Sequence, residues 1–223
     1  MRAENRNAFV FILLYGLLFQ LPIELMFGLS VYQVKLLMLA KYLVLGIVGY
    51  HLFSASLKQD FGLIKSYKRV FVLHMMACLL GYVLLNALSS GLVSFLMDFF
   101  GLGDAPLQND VNIQTTAQLI SPYLFLLFVG IIGPFVEELV FRRAMMGRLK
   151  PYFPPVGALI FQALLFALAH VHVLELSQFI QVIPHFVIGL YWGYLYQKTE
   201  NIYYPMGIHM VTNTLLFCFT FLT

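Results

Sequence analysis

Long apolar runs, each broken by a short polar or charged connection, recur along the whole chain. They cover about Ala8–Leu29, Gln33–Phe53, Val70–Met97, Pro122–Phe141, Pro155–Val173, Ser177–Gln197 and Tyr203–Leu222. As helices rising 1.5 Å per residue, each is long enough to cross a ~30 Å hydrocarbon core, allowing for tilt. Backbone polar groups in lipid must be satisfied within the structure, and no ten-residue alternation marks a barrel. The pattern therefore predicts an all-α, polytopic transmembrane bundle of about seven spans. The first run is too long for a signal-peptide core and no A-x-A-like site follows it, so a retained span is expected.

Composition sharpens this picture. Hydrophobic residues make up 61% of the 223 and charged residues only 10%, where a soluble domain carries about a quarter charged residues. Lys and Arg fall in alternate connections: Arg2 and Arg6 before the first run; Lys58, Lys65, Lys68 and Arg69 after the second; Arg142, Arg143, Arg148 and Lys150 after the fourth; Lys198 after the sixth. The connections around Ser30, from Asp98 to Ser121 and around Glu175 carry none. This asymmetry predicts an N-terminus inside and a C-terminus outside, in a prokaryotic cytoplasmic membrane. Residues 101–118 read as an external loop, and the basic, proline-containing hairpin Arg143–Pro154 as an interfacial segment anchored by lipid headgroups rather than a nucleic-acid site. Lys35 and Lys41 fall within the second run; the first is expected to snorkel outward and the second to face protein or water. Cys78 and Cys218 lie in apolar runs, so no disulfide framework is expected.

Ionisable side chains inside the runs are the candidates for chemistry, because each costs about 2.5 to 3.5 kcal/mol at the bilayer centre on insertion scales. Glu137 and Glu138 are adjacent, and Arg142 shares a helical face with Glu138 four residues on. Glu137 points about 100° away, which leaves it free to take a proton while the arginine holds its neighbour. A buried ion pair with a headgroup-level glutamate is the plain structural alternative. Phe166 and His170, and His209 and Asn213, repeat the i,i+4 spacing on two later runs. His and Asn on one face suit hydrogen bonding to a developing oxyanion. His172 and His185 are expected to line or support the structure. H-E-x-x-H, G-x-S-x-G and the phosphate-binding G-x-x-x-x-G-K-[ST] are all absent from the sequence.

The ordered set Glu137-Glu138-x-x-x-Arg142, Phe166-x-x-x-His170 and His209-x-x-x-Asn213 resembles the CAAX-protease and bacteriocin-processing (Abi) family of intramembrane endopeptidases. Phe186-x-x-Gly189-Leu190-x-x-Gly193-x-x-Tyr196 is similar to that family's glycine-containing helix. The resemblance runs from about Pro122 to Leu222, dividing the chain into N-terminal helices with an external loop (1–121) and a catalytic core (122–223). It implies that Glu137 and His170 activate a water, that Glu138 and Arg142 support the site, and that His209 and Asn213 stabilise the oxyanion of peptide hydrolysis. Family members are often labelled metalloproteases, and Glu137, His170 and His209 are the zinc ligands that reading requires; a metal-free site is preferred because Asn is a rare zinc ligand. The implied substrate is a hydrophobic peptide or membrane-protein tail, without nucleic acid. A non-enzymatic immunity or scaffold protein on the same fold and a proton-coupled carrier are the competing readings.

The expected spans leave one tension. Glu137 lies ~8 Å from the cytoplasmic end at Arg142, whereas His170 lies ~24 Å up the fifth span. The two share a depth only if the fourth helix runs on to about Leu149 or the spans are offset.

Overall fold

The computed structural model describes residues 2–20, 27–149 and 152–222, and side chains within them except 2–4, 20, 149 and 219–222. Parts of the expected first span (21–26), the Arg2 side chain, Lys150 and Pro151 therefore lie outside the described residues. Those described form helices and no strand: α1 (Arg2–Gln20), α2 (Val31–Ser66), α3 (Lys68–Phe99), α4 (Gln108–Leu119), a continuous helical run α5 (122–149), α6 (Pro155–Leu168), α7 (Leu176–Gln181), α8 (Ile183–Thr199) and α9 (Tyr203–Leu222). Val31–Ser66, Lys68–Phe99 and Pro122–Met146 are long and apolar enough to cross a membrane; Asn5–Phe19 and Pro155–Leu168 are apolar but shorter. The chain is a helical membrane protein.

The apolar pattern locates these helices, and end chemistry shapes them. Ser30 caps α2 by accepting from Gln33 N–H while the Gln33 side chain accepts from Ser30 N–H, a reciprocal capping box. Ser121 caps α5, with Pro122 at the first helical position, where a missing N–H costs nothing. With 36 residues, α2 is longer than a bilayer core requires, so Lys58 and Lys65 sit on its extension rather than in a loop. α5 likewise continues through Leu149, the first of the two solutions to the depth problem.

Several sequence expectations are corrected. The segment 101–118 is not simply a loop: α4 occupies most of its second half. Gln178 clamps the preceding strap with its amide, accepting from Gln108 N–H at 2.8 Å and donating to Pro106 C=O at 3.0 Å. Between these bonds Leu107 is buried against Ala167 and Val182. Lys35 does not snorkel; it is 7% exposed and donates to Asn112 C=O at 3.1 Å, which ties α2 to α4. Lys41 is buried, in keeping with the expectation that it faces protein. Arg143 is no headgroup anchor. It pairs with Asp60 of α2, which also accepts from Ile202 N–H at 3.1 Å, while Asp60 C=O accepts from Asn201. One carboxylate thus ties the end of α2 to α5 and to the start of α9. The sixth span is broken at Val182 into α7 and α8, two residues before Pro184, whose ring cannot continue a preceding helix without a clash.

The main core joins residues from both halves of the chain, including Phe11, Leu45, Phe53, Leu139, Phe166 and Ile208. α6 and α8 pack closely because glycines face the contact. Gln162 is buried and donates to Gly189 C=O at 2.9 Å. A Cβ on Gly193 would clash with Gln162 Nε2 and stand 2.6 Å from Leu159 Cδ1. Small residues permit this approach in membrane helices. Gly193→Val should therefore cost about 1–3 kcal/mol by overpacking, measured as a lowered thermal midpoint in detergent.

Candidate active site

The helix that carries the glutamates is not uniformly α-helical. Leu126–Ile132 and Leu139–Met146 form wider turns with i→i+5 hydrogen bonding, on either side of Gly133–Glu138. Pro134 gives a reason for the first of them. It has no N–H and its ring crowds the carbonyl four residues back, a conflict that a wider turn relieves. Gly133 N–H accordingly bonds Phe128 C=O, five residues earlier. The next carbonyl, Val129, would need a donor from Pro134 in this pattern. Asn213 supplies it instead, its Nδ2 donating to Val129 C=O at 3.1 Å. This residue therefore stitches α9 to the wide turn just ahead of the glutamates.

Glu138 and Arg142 pair as their spacing predicts, with Nε 3.2 Å from Oε2 and both side chains 0% exposed. The guanidinium also lies over two rings, 4.7 Å from Phe166 and 5.4 Å from Trp192. The other oxygen of Glu138 meets α9: His209 Nδ1 donates to Oε1 at 2.9 Å. Glu138 is therefore a bridge between Arg142 and His209, a second partner that helical spacing alone gave no sign of.

Glu137 is the more accessible acid, 14% exposed, with Oε2 3.8 Å from His209 Nε2. That gap exceeds hydrogen-bond length. Its direct hydrogen bond among the described residues comes from Tyr42 of α2, whose hydroxyl donates to Oε1 at 3.2 Å. Nothing in the sequence marks Tyr42, one of 13 tyrosines, because it sits in a run without a motif. Trp192 was missed too; it stacks on His209 at 4.1 Å between ring centroids.

His170 departs most from expectation. α6 ends at Leu168, and His170 lies beyond it, its N–H turned back to Ala167 C=O. It is not on a helix face with Phe166, yet the two meet: His170 Nδ1 donates to Phe166 C=O at 2.8 Å. A neutral imidazole held this way keeps its lone pair on Nε2. Phe166 is central, with its ring 5.0 Å from that of His170 and 6.3 Å from that of His209. His185 lies 4.2 Å from His170, ring to ring. His172 is exposed. Among the described residues, no group of three or more His, Cys, Asp or Glu side chains is arranged to hold a metal ion.

Fold and site together define a helical membrane protein with a buried acid–histidine–arginine cluster built from α5 and α9. Residues 119–215 match the family model described as type II CAAX prenyl endopeptidase Rce1-like. The chain is 31% identical over 105 residues to the membrane-embedded CAAX protease MroQ of Staphylococcus aureus (strain USA300), covering 44% of this chain and 40% of that protein. It is 25% identical over 116 residues to the protein named "Putative membrane peptidase YdiL" of Bacillus subtilis (strain 168), covering 52% and 43%. The chain thus spans about two fifths of the length of these relatives. No solved structure matches it.

Proposed function

We propose that this chain is an intramembrane endopeptidase of the cytoplasmic membrane that hydrolyses a hydrophobic peptide or the tail of a membrane protein. The observation that carries the reading is the placing of Glu137 and Glu138 against one histidine, His209, with charge supplied by Arg142. Such a cluster is costly in lipid and suits work on protons.

In this mechanism a water held by Glu137 Oε2 and by Nε2 of His170 attacks the peptide carbonyl carbon, its proton passing to the glutamate–histidine pair. The carbonyl π electrons move to oxygen, and His209, held by Glu138, donates from Nε2 to the oxyanion. The N–H of Asn213 not committed to Val129 is the second donor. Collapse of the intermediate breaks the C–N bond, and the proton taken from water passes to the leaving amine. General-base and oxyanion contributions of this kind are each worth about 10²–10⁴-fold.

Among the described residues no three His, Cys, Asp or Glu side chains converge as metal ligands, and the mechanism uses the side chains alone. Purified wild-type protein in liposomes should release defined fragments from added hydrophobic peptides, read by mass spectrometry, and His170→Ala should release none. Activity should survive strong chelation, with no stoichiometric zinc by elemental analysis. Zinc at one equivalent and activity lost on its removal would overturn the metal-free mechanism; equal product from His170→Ala would remove that histidine from it. No cleavage by wild type across a varied peptide set would favour a scaffold.

A further inference from the structure

The two oxygens of Glu137 have different neighbours. Oε1 accepts from Tyr42 at 3.2 Å, and Oε2 faces His209 Nε2 at 3.8 Å. Tyr42 comes from α2, outside the family-matched residues 119–215. Its ring is itself confined. Phe19 of α1 packs on it at 4.5 Å, Tyr15 packs on Phe19 at 5.1 Å, and Tyr15 meets Phe141 of α5 at 5.9 Å, edge to face. On the other side, the ring's Cε1 is 3.8 Å from the place a Cβ would take on Gly133, one helical turn before Glu137. The phenol thus lies between the Phe19 ring of α1 and the backbone of α5 at Gly133, and its single O–H is committed to the carboxylate.

A glutamate side chain on a helix has three rotatable bonds, and an unanchored one samples rotamers that turn either oxygen away from a substrate. Anchoring Oε1 from a neighbouring helix removes that freedom and leaves Oε2 as the oxygen available to a proton. We infer that Tyr42 is a positioning residue for Glu137, fixing the acid through Oε1 so that proton transfer runs through Oε2, and that α1 and α2 thereby complete a site whose motifs all lie downstream. This role rests on the proteolytic reading of Glu137; the contact itself does not.

Tyr42→Phe removes the hydroxyl and keeps the ring, so its packing on Phe19 is retained. Two measurements on the full chain in liposomes test the inference. In infrared difference spectra of wild type against Glu137→Gln, which isolate the Glu137 carboxyl band, Tyr42→Phe should shift that band. In peptide cleavage, it should lower kcat by about 10–100-fold, the usual range for a partner that orients a reacting group, with KM changed less than about twofold and an unaltered thermal midpoint. A loss of ring packing alone would lower the midpoint and leave the ratio of kcat to KM effects unsplit. An unshifted band, or kcat within about twofold of wild type, overturns the inference while peptide hydrolysis stands. A shifted band in a wild type that hydrolyses no peptide upholds the contact and overturns the proteolytic reading together with the role assigned to Tyr42.

Discussion

Glu137→Gln should lower peptide cleavage by about 10²–10⁴-fold, the range for loss of a general base, while leaving the thermal midpoint close to that of wild type. The substitution is isosteric, and the amide oxygen can still accept from the Tyr42 hydroxyl. What it removes is the capacity to take a proton. Its neighbour makes the instructive contrast. Glu138 is fully buried and shared between Arg142 and His209, so Glu138→Gln should lose activity and stability together, because a buried guanidinium loses its counter-charge. Cleavage kinetics and thermal unfolding of the two variants, side by side, separate the acid that reacts from the acid that holds. Full activity in Glu137→Gln would remove Glu137 as the base.

The contrast between the two acids was already legible in their spacing. A 3.6-residue period places Glu138 and Arg142 on one face and Glu137 on another, and the pair is found as drawn. The all-helical architecture follows from the apolar runs for a similarly local reason: lipid leaves the backbone few alternatives. What local periodicity cannot carry is a partner from elsewhere in the chain. His209 meets Glu138 across 71 residues and Tyr42 meets Glu137 across 95. Neither separation has a sequence period, and a tyrosine in an apolar run looks the same whether it packs on lipid or on an acid. Helix ends were misread where polar side chains rather than hydropathy set them. Lys35 is expected to snorkel outward, yet its bond to Asn112 C=O of α4 holds it inside. His170 was assigned to a helix face, yet α6 stops two residues short of it. The wide turns around the glutamates are a middle case. Pro134 announces a conflict in the helix, but only the three-dimensional arrangement shows that Asn213 takes up the carbonyl it leaves. The motif asparagine therefore has a structural task beside the oxyanion role that the resemblance implies.

Arg142→Met should destabilise the fold by about 3–5 kcal/mol, the usual cost of stripping one partner from a buried ion pair. The side chain is 0% exposed, as is that of Glu138, so the remaining carboxylate is left with the His209 Nδ1 bond and no guanidinium beside it. Arg142→Lys should recover little. The guanidinium is held by a carboxylate oxygen at one side and by the faces of Phe166 and Trp192, and a compact ammonium cannot reproduce a flat group lying over rings. Combining Arg142→Met with Glu138→Gln should restore part of the lost stability, because the uncompensated charge is then gone; two contacting residues are expected to be non-additive in this way. Denaturant unfolding in detergent for the two single variants and the double variant measures the coupling, and simple additivity would mean that the pair contributes nothing as a pair. Activity should not return with stability. In the double variant His209 faces a neutral amide, and the carboxylate that orients its Nδ1–H is missing. A stable but inactive double variant would therefore assign the Arg142–Glu138 pair to the chemistry through His209, whereas recovery of cleavage along with stability would reduce the pair to a packing element of α5.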